Sequence, residues 1–412
     1  MGRRAALAGL GAVAIVATAT QARGATPAAL SAALTDDVDV VLLPSQRRPA
    51  ARPTVTVATR VQAAPDAVGA VLLEPSRYGD AIPALIGSEI VATRPGADAR
   101  FGPERLLAWE LEIPLFNLKG RAWLARTSDA IELTLIEGAF APGRVRFQLT
   151  GEDGRRATLF TCEVTFTVQA SNWLLRRVAR HDAWSETAMT AAVAWTLARA
   201  VAALAETTPQ GGQGQGQAVR PRGPMVAPDA TKLDGAALAG PAWASLRMGA
   251  PVAAVRRAAS GRLAWISAAV ALPGAAPEVA TRLATPETWG VFPGWGSVQR
   301  LPVPDGAPRG EQLVAAKDSV PFVDLDATWR VTSTSSVVAT AVAGATRGAV
   351  FRWQTFVAPS GPVSVLSMHP RLDAAGFIEK RMIAAEPLLE HALALALTYV
   401  DAAAVADAFQ SP

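Results

Sequence analysis

One pattern of apolar and polar positions occurs twice in the chain, at residues 66–83 and again at residues 277–295. In each copy apolar residues recur at helical spacing, a proline interrupts them, and an aromatic residue follows three positions after the proline. Proline does not continue a helix, so the pattern predicts a short amphipathic helix and then a second helical piece. Aligning Pro75 with Pro286 brings Tyr78 onto Trp289.

Segments that alternate with period two surround each copy. Residues 107–113 place Leu107, Trp109 and Leu111 on one face and Glu110 and Glu112 on the other. Such alternation predicts an antiparallel sheet with one apolar and one wet face. Each half opens with a predicted hairpin, at 38–43 with 54–61 and at 252–257 with 263–272. The further predicted strands are 131–135, 145–149, 160–168, 296–303, 311–319, 323–331, 336–342, 348–357 and 363–369.

Each set of strands precedes a long Ala/Leu-rich helical pattern, at 173–206 and 377–407, that supplies a cover for the apolar face. We therefore predict two similar domains in tandem, at residues 30–206 and 233–409. Residues 207–228 are predicted to be a linker because the run GGQGQGQ has no apolar residue to pack. Its reach of about 25 Å predicts domains that reorient relative to each other.

Composition narrows the classes of partner. The chain has 412 residues, half of them hydrophobic, and a net charge of +4. Its arginine pairs, such as Arg256-Arg257, are short and scattered, which is typical of a solvated surface, whereas a nucleic-acid partner requires a continuous basic stripe. The single cysteine, Cys162, excludes an internal disulfide and a cysteine-based metal site. We expect no nucleic-acid partner, no metal and no cofactor.

Residues 1–24 resemble an export signal. Arg3-Arg4 supplies the charge, residues 5–19 are apolar but short for a bilayer, and small residues follow around Ala22. A twin-arginine signal and an ordinary secretory signal fit about equally well. The expected location is periplasmic or extracellular.

The runs LEPSRYGDAIPALIGSEIV and ATPETWGVFPGWGSVQRL resemble the polyketide cyclase / coenzyme Q-binding branch of the START-like superfamily (SRPBCC). The matching motifs are a helix start, a Pro-x-x-aromatic step and an aromatic or aliphatic residue before proline. They lie at 65–68, 75–78, 82–83, 277–279, 286–289 and 292–294. The resemblance implies an α+β fold of two tandem helix-grip domains, each with a curved antiparallel sheet on a long C-terminal helix and a cavity between them. The motif carries no catalytic residue, and family members bind lipids, quinones, polyketides and other molecules.

Aromatic residues are the strongest candidates for lining the two cavities, although core packing is the plain alternative for each. The second domain is expected to hold a ligand better, with Trp289 at the cavity mouth. His181 and His391 are predicted to lie at the surface, and the strand carboxylates to lie on the wet face. The predicted lining residues are Tyr78, Trp109, Trp123, Trp289, Phe292, Trp295, Trp329, Trp353 and His369.

Three functional hypotheses follow. The first is an exported, non-enzymatic protein that binds or carries a hydrophobic small molecule or lipid, with transient contact to a membrane surface. The second is an aromatase/cyclase-type enzyme, which works mainly by shaping a pocket. The third is a structural or interaction module in which one domain is degenerate and used for protein contact.

Overall fold

The computed structural model describes residues 25–44, 52–82, 84–113, 116–152, 156–168, 171, 173–180, 184–207, 228–229, 233–244, 246–247, 251–272, 275–291, 295–320, 323–359, 361–371 and 388–410. The predicted export signal and nearly all of the predicted linker lie outside these ranges.

The first half of the chain forms strands followed by a long helix, in the predicted order. Its elements are α1 (Pro27–Ala33), β1 (Val38–Leu42), β2 (Thr54–Val61), α2 (Pro65–Leu72), a 3-10 turn (Pro75–Arg77), α3 (Tyr78–Ala81), β3 (Leu85–Arg94), a second 3-10 turn (Ala99–Phe101), β4 (Glu104–Ile113), β5 (Phe116–Arg126), β6 (Ile131–Gly138), β7 (Gly143–Gly151), β8 (Thr158–Thr165), α4 (Trp173–Ala179) and α5 (Ser185–Thr207). The helix α2 ends before Pro75, as the pattern predicts.

The second half repeats this order after two short helices. Its elements are α6 (Ala236–Ala239), α7 (Pro241–Ala244), β9 (Val252–Arg257), β10 (Leu263–Ala271), α8 (Ala276–Leu283), a 3-10 turn (Pro286–Val291), β11 (Trp295–Leu301), β12 (Glu311–Val320), β13 (Val323–Ser333), β14 (Val337–Gly344), β15 (Val350–Ala358), β16 (Gly361–His369) and α9 (Leu388–Gln410). Each half therefore packs one long helix on an antiparallel sheet. The predicted α+β class with two helix-grip units is confirmed.

The strands of both halves join in one antiparallel sheet. Their order is β11-β12-β13-β14-β15-β16-β10-β9-β1-β2-β8-β7-β6-β5-β4-β3. Counted outwards from the central β9–β1 pair, each half has the same strand order. The long helices lie side by side on one face, α5 across β2 and β8 and α9 across β10 and β16, and they pack against each other.

The central pair overturns the prediction of freely reorienting domains. β1 pairs with β9 over five residue pairs, from Val38–Arg256 to Leu42–Val252. One apolar core also runs without interruption from the first half to the second. Whatever the reach of the chain between the halves, backbone hydrogen bonds and shared apolar burial fix their relative position.

The central strands are covered on both faces, which explains why their sequences do not alternate. In β1, Val41 belongs to the main core under α5. Val40 and Leu42 point to the opposite face and form a second core with residues of α1, α6 and α7, including Leu30 and Trp243. All five residues of β1 are buried.

Two strands of the first half were not assigned from the sequence, β3 and β5. In β3 two irregularities in register interrupt the period-two pattern, between Leu85 and Gly87 and again between Ile90 and Ala92. In β5 the pattern itself is unbroken, but the inner positions include the small residues Gly120 and Ala122, so the contrast between apolar and polar positions is weak. In β3 the residues skipped by the register, Ile86 and Val91, are exposed. Bulges of this kind are common at sheet edges, and β3 forms one edge.

The helices α5 and α9 are long and apolar enough to cross a membrane by composition alone. Both lie on the sheet, and residues along each belong to the main core, such as Trp195 in α5 and Tyr399 in α9. Their apolar character is therefore accounted for by burial within the fold.

Candidate ligand-binding interior

A shared bulge fixes the correspondence between the two interiors. β5 shifts register just before Ala122, and β13 shifts register just before Trp329. On the partner strands Gly138 (φ 86°) and Gly344 (φ 92°) take equivalent positions. A β-carbon at either glycine would overlap the carbonyl oxygen of the neighbouring strand. Ala122 of the first domain therefore corresponds to Trp329 of the second.

The same register shows that the tryptophan lies on different strands in the two domains, on β4 in the first and on β13 in the second. Trp109 on β4 pairs with Gly120, and Ala316 on β12 pairs with Ala327. The first domain thus combines Trp109 with a small Ala122, whereas the second combines a small Ala316 with Trp329. Large and small side chains are exchanged between neighbouring strands of the two sheets.

In the second domain the candidate rings pack against one another. Phe351 lies at the centre of the group, with ring centroids 5.5 Å from Trp289, 5.1 Å from Trp329 and 5.5 Å from Trp353. All four side chains are buried. Among the described residues, these rings fill the space between the sheet and the short helices.

Trp289 is a core residue, which corrects its predicted place at a cavity mouth. Its side chain is fully buried, and its Nε1 donates a hydrogen bond of 3.0 Å to the carbonyl of Leu283 at the end of α8. Tyr78 is the equivalent residue of the first domain, and its hydroxyl donates to the carbonyl of Leu72 at 2.6 Å. Both rings therefore satisfy a helix C-terminus from inside the core.

The first domain presents a different interior, because Trp109 on its inner face is only half-buried. Trp109 stacks on Phe140 at 6.2 Å between centroids, and Phe140 contacts Phe166 at 4.7 Å. Leu85 and Leu111 on the neighbouring positions are also half-buried while packing against the core. Here apolar surface on the helix-facing side of the sheet stays partly accessible.

Phe140 was not singled out from the sequence. It lies in the turn between β6 and β7 with φ 69°, a left-handed conformation that is rare for a bulky residue. Its backbone N–H donates to the hydroxyl of Ser171 at 3.5 Å. A pattern of apolar residues gives no signal for such a backbone, so the inward direction of this ring emerges only in the fold.

Trp123 does not line the interior, which corrects a second prediction. Its neighbours Ala122 and Leu124 are buried in the core, so alternation along β5 directs Trp123 to the outer face. There the Arg94 guanidinium lies 3.9 Å from the centre of its ring. Phe292 and the side chain of Trp295 lie outside the described residues.

His369 lies at the end of β16, where it is paired with Val350 of β15. Its Nδ1 is 2.6 Å from the carbonyl oxygen of Ala264 on β10, and its side chain is fully buried. This placement agrees with the plain alternative of a core histidine.

A buried carboxylate connects the two domains at their junction. Asp39 on β1 is fully buried and accepts hydrogen bonds from Thr59 at 2.6 Å and from Trp195 Nε1 at 3.0 Å. Arg199 Nη1 lies 3.8 Å from it, and Arg257 Nε of the second domain lies 3.5 Å from it. The predicted surface pair Arg256-Arg257 therefore belongs to the junction.

His391 is buried at the same junction, which corrects its predicted surface position. Its ring stacks on Trp195 with centroids 4.8 Å apart and planes 13° apart. Neither ring nitrogen has a hydrogen-bond partner among the described residues. The pKa of His391 is lowered to about 3, first by burial and then by the positive charges of Arg257, Arg199, Arg262 and His369.

The strand carboxylates Glu110 and Glu132 lie on the outer face of the sheet, where they form ion pairs. Glu110 lies 3.0 Å from Lys119, and Glu132 pairs with Arg144. On the inner side, burial raises the pKa values of Tyr78 and Cys162, so both stay protonated at neutral pH. Within the described ranges no group of three or more His, Cys, Asp or Glu is placed to hold a metal ion.

Two clefts open at the surface of the described structure. The larger, of about 410 Å³, lies at the ends of β6, β7 and β8 between Arg52, Ile136 and Arg144. The smaller, of about 200 Å³, lies between Gln299, Lys317 and Asp326. Neither includes a predicted lining residue.

No protein-family model matches the sequence, and no curated protein matches it. Among solved structures, the chain is similar to the di-domain ARO/CYC StfQ from the steffimycin biosynthetic pathway, at 12% identity over 84% of this chain and 97% of that one, with a TM-score of 0.26. It is similar to the di-domain ARO/CYC BexL from the BE-7585A biosynthetic pathway, at 10% identity over 87% and 99%, with a TM-score of 0.27. A START superfamily protein from Mycobacterium smegmatis shows 20% identity over 28% of this chain and 77% of its own, with a TM-score of 0.25.

These structures are of the kind that the sequence motifs indicate, START-like proteins and polyketide cyclases with two tandem copies. At these identities and TM-scores the function has to be derived from this chain's own residues.

Proposed function

We propose that the protein binds a hydrophobic small molecule, of the lipid or quinone class, in its first domain. The ligand would lie against Trp109 and Phe140, between the sheet and the short helices. The observation that carries this proposal is the half-burial of Trp109 on the helix-facing side of the sheet. Burying the rest of this ring and of Leu85 and Leu111 would contribute about 25 cal/mol per Å² of apolar surface.

The comparison of the two interiors supports the choice of the first domain. The second domain places Trp329 where the first has Ala122, and its four rings are already buried against each other. In the first domain Trp109, Leu85 and Leu111 stay half-buried at the corresponding depth. This assignment reverses the expectation from the sequence, which rested on Trp289, Phe292 and Trp295.

Binding without catalysis is the better supported activity. Two inner titratable groups are held by structural contacts: Tyr78 by the Leu72 carbonyl, and Asp39 by Thr59 and Trp195. A general acid or base has to reach the reacting atoms of a substrate. A poly-β-ketone substrate that leaves the protein with altered mass would instead establish the aromatase/cyclase alternative.

A matched pair of variants tests the site. Trp109 and Trp123 lie on neighbouring strands, both half-buried, but on opposite faces of the sheet. The full chain is titrated with a panel of lipids and quinones, followed by ligand fluorescence and native mass spectrometry. Trp109→Ala is expected to weaken binding on the order of tenfold or more, since a large apolar contact is lost. Trp123→Ala is expected to leave the affinity unchanged.

Two outcomes would refute the proposal. One is a wild-type protein that takes up no member of the panel. The other is an equal loss of affinity in Trp109→Ala and Trp123→Ala, which would reflect general destabilisation.

Export is part of the same proposal and rests on the pattern of residues 1–24. The paired arginines distinguish the two routes, because Arg3→Lys together with Arg4→Lys blocks a twin-arginine signal while keeping its charge. Cell fractionation of both forms measures the result. Wild-type protein that remains in the cytoplasm would exclude export by either route.

A further inference from the structure

The surface of α4 differs in composition from the rest of the described surface. Trp173, Arg177 and Arg180 follow one another at spacings of four and three residues, so they lie on one side of the helix and its C-terminal extension. Trp173 is 63% exposed and is the only aromatic residue among the large hydrophobic side chains that the described structure leaves exposed. Both arginines are exposed as well. Leu175 and Ala179, on the other side, pack against the core.

The charge of this segment has a single sign. Residues 173–180, WLLRRVAR, contain three arginines and no acidic residue. A tryptophan beside basic residues is the combination found where helices meet the headgroup region of a membrane. Near an anionic lipid surface each basic residue adds to the electrostatic attraction.

We propose that this face of α4, formed by Trp173, Arg177 and Arg180, is a docking surface for an anionic lipid membrane. The indole would enter the headgroup region, and the guanidinium groups would contact lipid phosphates. An extended basic stripe, as a nucleic acid requires, is not formed by three arginines on one short helix.

The position of α4 relates the docking surface to the proposed ligand site of the first domain. Ser171, two residues before Trp173, accepts the backbone hydrogen bond of Phe140, and Phe140 stacks on Trp109. The docking face therefore begins beside the accessible interior of the first domain. Contact with a membrane would bring that interior to the source of a lipid or quinone; this use of the surface rests on the proposed function, but membrane docking itself does not.

Vesicle binding tests the surface directly. The full chain is sedimented with vesicles of phosphatidylcholine alone and of phosphatidylcholine mixed with phosphatidylglycerol, at low and high salt. We expect binding to the anionic vesicles only, and less of it at high salt because the charges are screened. Arg177→Glu with Arg180→Glu should lower the partition coefficient on the order of tenfold or more, and Trp173→Ala several-fold.

A charge-matched control separates this surface from net charge. Arg309 and Arg347 are exposed arginines of the second domain, so their double change to Glu alters the total charge equally. The control should bind vesicles like the wild type, and all variants should melt at the wild-type temperature because the changed positions are exposed.

Three outcomes would overturn the docking proposal: no vesicle binding by the wild type, equal binding to both vesicle types, or equal losses in the control and the α4 variant. Trp109→Ala distinguishes the two proposals, since it should weaken ligand uptake while leaving vesicle binding intact.

Discussion

At the residue scale, the most informative side chains are polar groups buried where the domains meet. Asp39 interrupts an apolar strand, and it is held by Thr59, Trp195 and the two nearby arginines. A buried charge is tolerated when hydrogen bonds and opposite charges compensate for its desolvation. His391 is buried beside this group without a partner for either nitrogen among the described residues, so it is stable only in its neutral form.

The first prediction concerns acid stability. With the folded-state pKa of His391 lowered to about 3, the unfolded chain binds a proton near pH 6.5, where histidine normally titrates, and the folded chain does not. The contribution of His391 to stability is therefore full above pH 6.5 and is lost as the pH falls towards about 3. His391→Gln should lose less stability than the wild type between neutral pH and pH 4.

Urea unfolding at a series of pH values measures this difference. The groups that face His391 include Arg199, Arg257 and Arg262, together with Glu390, which lies 2.7 Å from Arg262. The same groups are present in both proteins, so the difference between the two pH profiles isolates the histidine. Parallel profiles would show that His391 is not protonated on unfolding.

At the element scale, one buried aromatic residue in each half bonds to the C-terminal end of the preceding helix, α2 or α8. Tyr78 bonds to Leu72, six residues earlier, and Trp289 bonds to Leu283, also six residues earlier. The sequence aligned these residues correctly as repeats. It did not show that each ring bonds to the end of the preceding helix, because that orientation depends on how the helix packs against the sheet.

The second prediction is that Trp289 acts through stability. Trp289→Ala should lower the free energy of unfolding by about 3–5 kcal/mol, as truncation of a buried tryptophan does. Trp289→Phe should cost about 1–3 kcal/mol, because the Leu283 carbonyl loses its donor in the core. Chemical denaturation of the two variants and of Tyr78→Phe measures these effects. A loss below 1 kcal/mol in Trp289→Ala, with weakened ligand binding, would restore the role at a cavity mouth.

At the scale of the whole molecule, the two repeats share one sheet and one main core. The β1–β9 pair, the α5–α9 contact and the Asp39 group all cross the boundary between the halves. Each half alone would expose the edge of its central strand and the apolar side of its long helix. Separation is therefore costly even though the intervening sequence is rich in Gly and Gln.

The third prediction follows from this shared structure. A protease site placed in residues 211–217 and cut after purification should leave both halves in one particle, because the junction buries apolar surface and satisfies backbone hydrogen bonds. Size-exclusion chromatography compares the cut and uncut chains. Elution of two separate halves without denaturant would show that the covalent connection holds the domains together.

The sequence by itself determined the repeat, the α+β class and all eight described strands of the second half, because period-two alternation and helical spacing are local properties. It missed β3, where bulges interrupt alternation, and β5, where the small inner residues Gly120 and Ala122 weaken it, and it assigned Trp123 to the wrong face. Only the tertiary structure decided that the halves share a sheet, that Trp289 is core while Trp109 stays accessible, and that His391 is buried. These features depend on contacts between residues far apart in the chain, and a local pattern carries no information about which distant surface will cover a given side chain.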